Sequence, residues 1–366
     1  MMLNCLSPDM NLIGACWMRR SLEEPVSALF IDDNHHVVAG GWDGRLAKWN
    51  ASGDLLWSVE LPDRVGSIAA NENGIYATAG LHLSALNSEN GALMWQHPLE
   101  GSADIVTTVD GLVYATSSVY DIEHNDFIDS AIWCFDISGS QLWVKHMPER
   151  PWTLNELDGN LYLGLGRPKM GVAQVSSGGD VEHKALDSSS SVTASVNFNG
   201  NLIFGHANGD LTSLEEKIVD GQGKSVNSIL HDGDQLFTID GKNITQLGTG
   251  DQQSLQVSVG NITAISNGVI VNDSPTIWCG VQDVNKGLLK VISLTDGNEI
   301  ASMQAAKICV ITSNSDRVVI GDEQGEVYVW EQAMLNRRFN SASVDGDDER
   351  RQQMRERLKA LRKREL

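Results

Sequence analysis

The sequence predicts an all-β fold, a β-propeller of four-stranded antiparallel blades, eight in number and closed by the N-terminal strand, followed by a short C-terminal helix. Three observations carry this reading. Turn signals recur through the 366 residues at steps of 33 to 48. A glycine-to-tryptophan step of four residues repeats between them. The segment ahead of the first repeat resembles the end of a repeat, as if the ring were cut there.

The turn signals set the blade count. They lie at Asp32–Asn34, Asn73-Gly74, Asp110-Gly111, Asp158-Gly159, Asn199-Gly200, Asp232-Gly233, Asn267-Gly268 and Asn314–Asp316. An Asx-Gly pair between apolar runs is a strong hairpin signal, because a type I′ turn needs positive φ at both central residues. Each unit then divides into four short β-rich runs. In the first they are "VSALFI", "HVVAGG", "GRLAKWN" and "DLLWSVEL". No segment within residues 24–330 has the period of a long amphipathic helix. Four strands per unit of about 40 residues is the pattern of a propeller.

The ends show how the ring closes. The eighth unit, "ICVITSNSDRVVIGDEQGEVYVWE", supplies three strands, and "GACWMRRSLEEPVSALF" parallels "LLWSVELPDRVGSIAA" from the junction of units 1 and 2. Residues 12–22 are therefore expected to form the missing outer strand, which leaves no open edge. A seven-bladed ring with one irregular unit is the alternative, and units 5 and 6 are the shortest. The indoles of Trp17, Trp57, Trp95 and Trp143 are expected to pack one blade on the next, each burying roughly 150–250 Å². His183 and Ala301 stand where units 4 and 7 would have the indole, so those interfaces should be weaker or filled differently.

Ala85, Asn87, Asn90, Gly91 and Trp95 fit the spacing A-x-D-x-x-T-G-x-x-x-W. Asp136, Gly139 and Trp143 fit it with one residue deleted, and Ser293, Asp296 and Gly297 fit without the tryptophan. The chain thus resembles the quinoprotein-type propeller repeat over about residues 12–335. The stretches "GGWDGRLAKWN" and "GDEQGEVYVWE" also look like WD repeats. The resemblance implies the fold and says little about function. The best-known quinoproteins are secreted dehydrogenases that bind pyrroloquinoline quinone and calcium, many with adjacent cysteines. This chain has no Cys-Cys pair, no export signal and no large insertions, so neither a cofactor nor quinone catalysis is expected. A further relative is the propeller lipoprotein of outer-membrane assembly. It would need a signal peptide and a lipid-bearing cysteine. Cys5 follows no apolar segment, so the chain is not expected to be that lipoprotein.

Charge and cysteines narrow the function classes. The net charge of −21 argues against a body that binds nucleic acid or anionic membrane. The 5 cysteines are widely spaced with no C-x-x-C pair, which speaks against a disulfide framework or a zinc site and for a reducing, cytoplasmic setting. No secretory signal and no run of about 18 apolar residues is present, so no membrane span is expected.

No phosphate loop, H-E-x-x-H motif or Ser-His-Asp set can be argued, and no catalytic or metal-ligating residue is assigned. His206, in "FGHANGD", follows a strand that could face the channel. The two longest units are more informative. Unit 3 carries "SSVYDIEHNDFIDSAIW" and unit 7 carries "VNDSPTIWCGVQDVNKG". Both surpluses are expected between the second and third strands, facing each other across the channel mouth. They offer Tyr120, Asp121, His124, Asp126, Phe127 and Asp129 on one side, and Asp273, Trp278, Asp283 and Lys286 on the other. Loops on a rigid scaffold commonly carry binding function. The expected ligand is a protein partner, held by aromatic anchors within an acidic rim. The acidic spacing does not match an EF-hand. Ordinary hairpin extensions, or an enzyme or small-molecule site at the channel mouth, are the alternatives.

The chain changes character after the last repeat. Residues 1–335 are expected to form the propeller, 336–349 a flexible linker, and 350–366 a basic amphipathic helix with Met354, Leu358 and Leu361 on one side. Its charged residues are Arg350, Arg351, Arg355, Arg357, Lys359, Arg362, Lys363 and Arg364 with two glutamates. This is +6 of the chain total of −21, so residues 1–349 carry −27. Such a tail can fold back on the acidic body, dock on another protein, or contact nucleic acid or the ribosome. Its apolar stripe is narrow and lacks an aromatic residue, which disfavours a membrane surface. The leading function is a non-catalytic interaction scaffold, with no nucleic-acid contact except through the tail.

Overall fold

Each of the eight turn signals joins the first strand of a blade to its second in the computed structural model, which describes residues 12–248, 255–284 and 286–342. The described strands form eight four-stranded antiparallel sheets, each a simple meander. Blade 1 is Val26–Ile31, Val37–Gly41, Arg45–Trp49 and Leu55–Glu60. Blade 8 takes Ile308–Ser313, Arg317–Asp322 and Glu326–Glu331 from the end of the chain and Met18–Ser21 from its beginning. Met18 pairs with Val329 and Ser21 with Glu326. The ring is therefore closed by the N-terminal strand, as the repeat pattern predicts. Units 5 and 6 complete their blades with shortened strands, down to Leu211–Thr212 and Lys217–Val219 in blade 5.

Burial follows from the stacking of sheets around a ring. A second strand lies between two neighbouring blades, so both of its faces are covered and apolar or small residues run without alternation. Gly74–Ala79 and Arg317–Asp322 are buried at every position. Outer strands are wet, and Val181–Lys184 is exposed throughout. One apolar cluster fills each of the eight junctions between blades. At blades 1 and 2, Val38, Leu46 and Trp57 meet Ile75, Ala77 and Leu86.

The repeated glycine and tryptophan belong to one device that crosses each junction. The indole does not pack on the glycine four residues before it. It packs on the corresponding glycine of the next blade. A Cβ on Gly91 would lie 2.8 Å from the Trp57 ring, one on Gly139 2.5 Å from Trp95, and one on Gly179 2.8 Å from Trp143. Each indole N–H donates to a carbonyl in the same turn: Trp57 to Ser88 at 3.1 Å, Trp95 to Ile137 at 3.0 Å, and Trp143 to Ser177 at 3.1 Å. Trp17 donates to Ala51 at 3.2 Å but is 40% exposed. The apolar clusters at blades 4–5 and 5–6 are the smallest, with six buried members each, where no such indole is supplied.

A second lock was not foreseen in the sequence. A glycine near the end of the second strand admits a residue at, or just ahead of, the start of the following blade. Gly40 receives Val65, Gly164 receives Val192, Gly205 receives Val226, Gly280 receives Ile308 and Gly321 receives Val26.

Two expectations need correction. Residues 332–342 form a helix where the propeller was expected to end and a linker to begin at 336. Gln332 Oε1 accepts from Ile270 N–H, Asn336 Nδ2 donates to the Ile270 carbonyl, and Leu335 is fully buried with Leu12, Val269 and Trp330. This anchoring makes the segment part of the propeller. The surplus of unit 7 is also divided. The connection 268–275 joins the first two strands, and Thr276–Asp283 and Lys286–Ser293 form the next hairpin. The basic segment 350–366 and its candidate contact residues lie outside the described residues.

Candidate functional site

Strand direction sorts the connections onto two faces. The joins between first and second strands, and between third and fourth, share the turn face. The joins between second and third strands, and from blade to blade, share the opposite, link face. On the link face two hairpins are extended. In blade 3, Leu112–Asp121 and Asp126–Asp136 span 10 and 11 residues, with Ile122 86% exposed at the tip. In blade 7 the equivalent strands span 8 residues each, with Val284 at the tip. In a ring of eight these hairpins stand opposite each other.

All six candidates in unit 3 gather on the first hairpin. The Tyr120 ring meets Phe127 edge-on at 5.1 Å, and Phe127 meets Trp152 edge-on at 6.0 Å. The Arg150 guanidinium lies over Phe127 at 3.9 Å and over Trp152 at 4.3 Å. Its Nη2 pairs with Asp104 at 3.0 Å, and Ser118 Oγ donates to the other Asp104 oxygen at 2.6 Å. Burial pushes the Asp104 carboxyl above its ordinary range, against Ser118 and Arg150, and pushes the Arg150 guanidinium down. The rim is acidic and paired. Asp121 accepts from His124 at 2.7 Å, which holds its carboxyl below the usual range. Asp126 pairs with Arg167 at 3.0 Å. Asp129 lies 3.5 Å from His146, and with Glu100 these place one donor atom each within 4.8 Å of one another.

The surface continues into blades 1 and 2. A cavity of about 290 Å³ between blades 2, 3 and 4 is lined by Arg64, Gly66, Gly80, Asp104, Arg150 and Trp152. Arg64 lies over the exposed Trp42 ring at 4.0 Å. Trp42, Arg64, Asp104, Arg150, Trp152 and Arg167 were missed in the sequence. They sit apart in the chain, mostly in short connections such as "WDG", "PDR" and "PERPW". The available signal was an arginine closing two blade-to-blade links just before a new first strand.

The unit 7 candidates do not form one group. Asp283 and Lys286 face each other just beneath the tip of the second hairpin. Asp273 is on the turn face, because its connection joins the first two strands. Trp278 is fully buried, its N–H donating to Thr276 Oγ1 at 3.1 Å and its ring 5.1 Å from Trp330. It is a core residue and is withdrawn as a binding anchor. His206 is buried between the Ser190 carbonyl at 3.0 Å and Thr212 Oγ1 at 2.9 Å, and burial lowers its pKa.

Residues 16–256 match the model of a protein family described as outer membrane protein assembly factor BamB. The match begins just ahead of the closing strand. No curated protein sequence matches the chain. Among solved structures, BamB from Moraxella catarrhalis is similar with a TM-score of 0.67 and 13% identity over 86% of this chain and 97% of that one. Saccharomyces cerevisiae Sqt1 gives 0.67 and 12% over 87% and 98%. The computationally designed Ika8 protein gives 0.66 and 18% over 85% and 98%. At these identities the structural likeness is one of fold.

Proposed function

The chain belongs to the family of the outer membrane protein assembly factor BamB, and from that premise we propose that it is a non-catalytic scaffold holding a protein partner on its link face. The observation that carries the reading is the run of exposed apolar side chains across blades 1 to 4. Trp42, Leu81, Tyr120, Ile122 and Trp152 are all at least 46% exposed, on short connections between rigid strands or at the strand ends beside them. Contiguous exposed apolar groups ringed by polar ones mark interaction surfaces. Connections held by sheet ends lose little entropy when a partner binds. The family's name, that of an assembly factor, agrees with a protein partner.

Affinity purification from native lysate tests the proposal. Full-length chain, a 1–349 truncation and Ile122→Arg are compared, each with and without nuclease. A partner kept by the first two under both treatments and lost from Ile122→Arg supports the link face. Partners lost with the tail or with nuclease move the function to residues 350–366.

A further inference from the structure

We infer that the partner inserts a carboxylate, from an aspartate, a glutamate or a chain terminus, into the cavity between Arg64 and Arg150. The inference rests on the link face being the partner-binding face. It begins from how charge divides between the two faces. Among the described residues, the turn-face connections carry fourteen Asp or Glu and no Lys or Arg. The link-face connections carry all seven Lys and Arg found in connections, among twelve Asp and Glu. Among the connections, an anionic group therefore meets cations on the link face, whereas the cations of the turn face come from outside its connections, as Arg337 and Arg338 of the terminal helix do.

Within the link face Lys169, Lys242 and Lys307 are also outside the ion pairs of the described residues, but Arg64 and Arg150 are the two cations that line one cavity together. Arg167 is occupied by Asp126 at 3.0 Å, and Lys224 lies 3.5 Å from Asp240. Arg64 makes no ion pair among the described residues and lies flat on Trp42. Arg150 gives one amine to Asp104, while its Nε is buried without a hydrogen-bond partner. A buried donor left unmade is costly, and an incoming acceptor removes that cost. Both guanidiniums lie over aromatic rings, and a planar guanidinium in such a setting can grip a carboxylate through two bonds. The cavity, about 290 Å³, is at or below the lower end of small-molecule sites, roughly 300–1,000 Å³. It suits a side chain rather than a large cofactor. Exposed Trp42, Leu81 and Trp152 around it favour apolar neighbours beside the acid.

The test uses full-length protein and a fluorescein-labelled, amidated peptide alternating Leu or Phe with Asp or Glu, read by anisotropy. The control peptide has Asn and Gln at the acidic positions. Arg64→Glu is expected to weaken acidic-peptide binding by about tenfold or more. Lys242→Glu, the same charge change elsewhere on the face, should alter it by less than about twofold. Far-UV circular dichroism checks that both variants fold. Equal losses in the two variants would reduce the effect to diffuse attraction and overturn the inference. So would equal binding of the neutral peptide, or displacement of the acidic one by inorganic phosphate alone. A native partner that Arg64→Glu still captures at full affinity sinks the inference while leaving the scaffold reading to the Ile122→Arg result.

Discussion

Replacing Trp57 by alanine should weaken one junction of the ring by a calculable amount. The indole is 6% exposed. Burying roughly 150–250 Å² at about 25 cal/mol/Å² contributes about 4–6 kcal/mol. A compact unfolded chain trims this by roughly 10–40%, leaving about 3–5 kcal/mol. The lost N–H bond adds little, because the Ser88 carbonyl also accepts from Lys48 at 2.9 Å. Trp17, 40% exposed in the equivalent place, should cost about 2 kcal/mol on the same scale. Urea unfolding followed by circular dichroism measures both. A double-mutant cycle isolates the contact. Gly91 has φ of 72°, so Gly91→Ala costs about 1–2 kcal/mol for its backbone and sets a Cβ 2.8 Å from the Trp57 ring. That clash disappears when Trp57 is alanine, so the double variant should be about 1 kcal/mol better than the sum of the singles. The packing argument is refuted if the two changes add, or if Trp57→Ala costs no more than Trp17→Ala.

Other expectations follow from charge and burial. His206 has its pKa lowered by burial, so the unfolded state binds its proton first. Stability from this site is present above the unfolded value of about 6.5 and is lost as pH falls below it; the urea midpoint should drop less between pH 7.5 and 5.5 in His206→Gln than in the parent chain. The Asp210 carboxyl is disfavoured by burial, but Gly221 N–H, Ser188, Asn208 and Lys217 outweigh this and hold it far below its usual range. Asp210→Asn should therefore cost about 1–3 kcal/mol at neutral pH, and the deficit should shrink as pH falls below about 3.9 and the unfolded parent chain takes up the proton that the folded carboxylate refuses, read as unfolding midpoints at pH 7 and pH 3. Gly321→Val should destabilise blade 8 by more than about 2 kcal/mol, since no space remains beside Val26; thermal melts of the two proteins check it.

The fold was legible because its signals are local and repeated. Asx-rich turns between apolar runs mark hairpins, and the eight used here, six of them Asx-Gly, mark the same join in every blade. The tryptophans were legible as residues that pack one blade on the next, but which glycine each one meets lies in the following unit and does not show in the spacing within a unit. The candidate site was legible only in part. Unit 3 keeps its surplus in one hairpin, and its six candidates lie together. Unit 7 divides its surplus between two connections on opposite faces, a division no residue count reveals. Glu24 shows the same limit. It is buried beside Gly41 and takes the N–H groups of Asp43 and Arg45 at 2.8 Å each, as Asp322 does for Gln324 and Glu326 at 2.9 Å each. The carboxylate comes from a different part of the chain. Arg64, Arg150 and Trp42 likewise meet only because the ring brings their connections to one edge of one cavity.

Closure by Met18–Ser21 has a consequence for biosynthesis. Within the propeller, the strand made first is the last to find its partner, because Glu326–Glu331 must be made before the pairing exists. Throughout translation blade 1 has no neighbour on one side. The waiting strand is only four residues long and carries Arg19 and Arg20 side by side. Short, charged strands pair poorly with stray chains. The segment is thus suited to remain single until Glu326–Glu331 arrives.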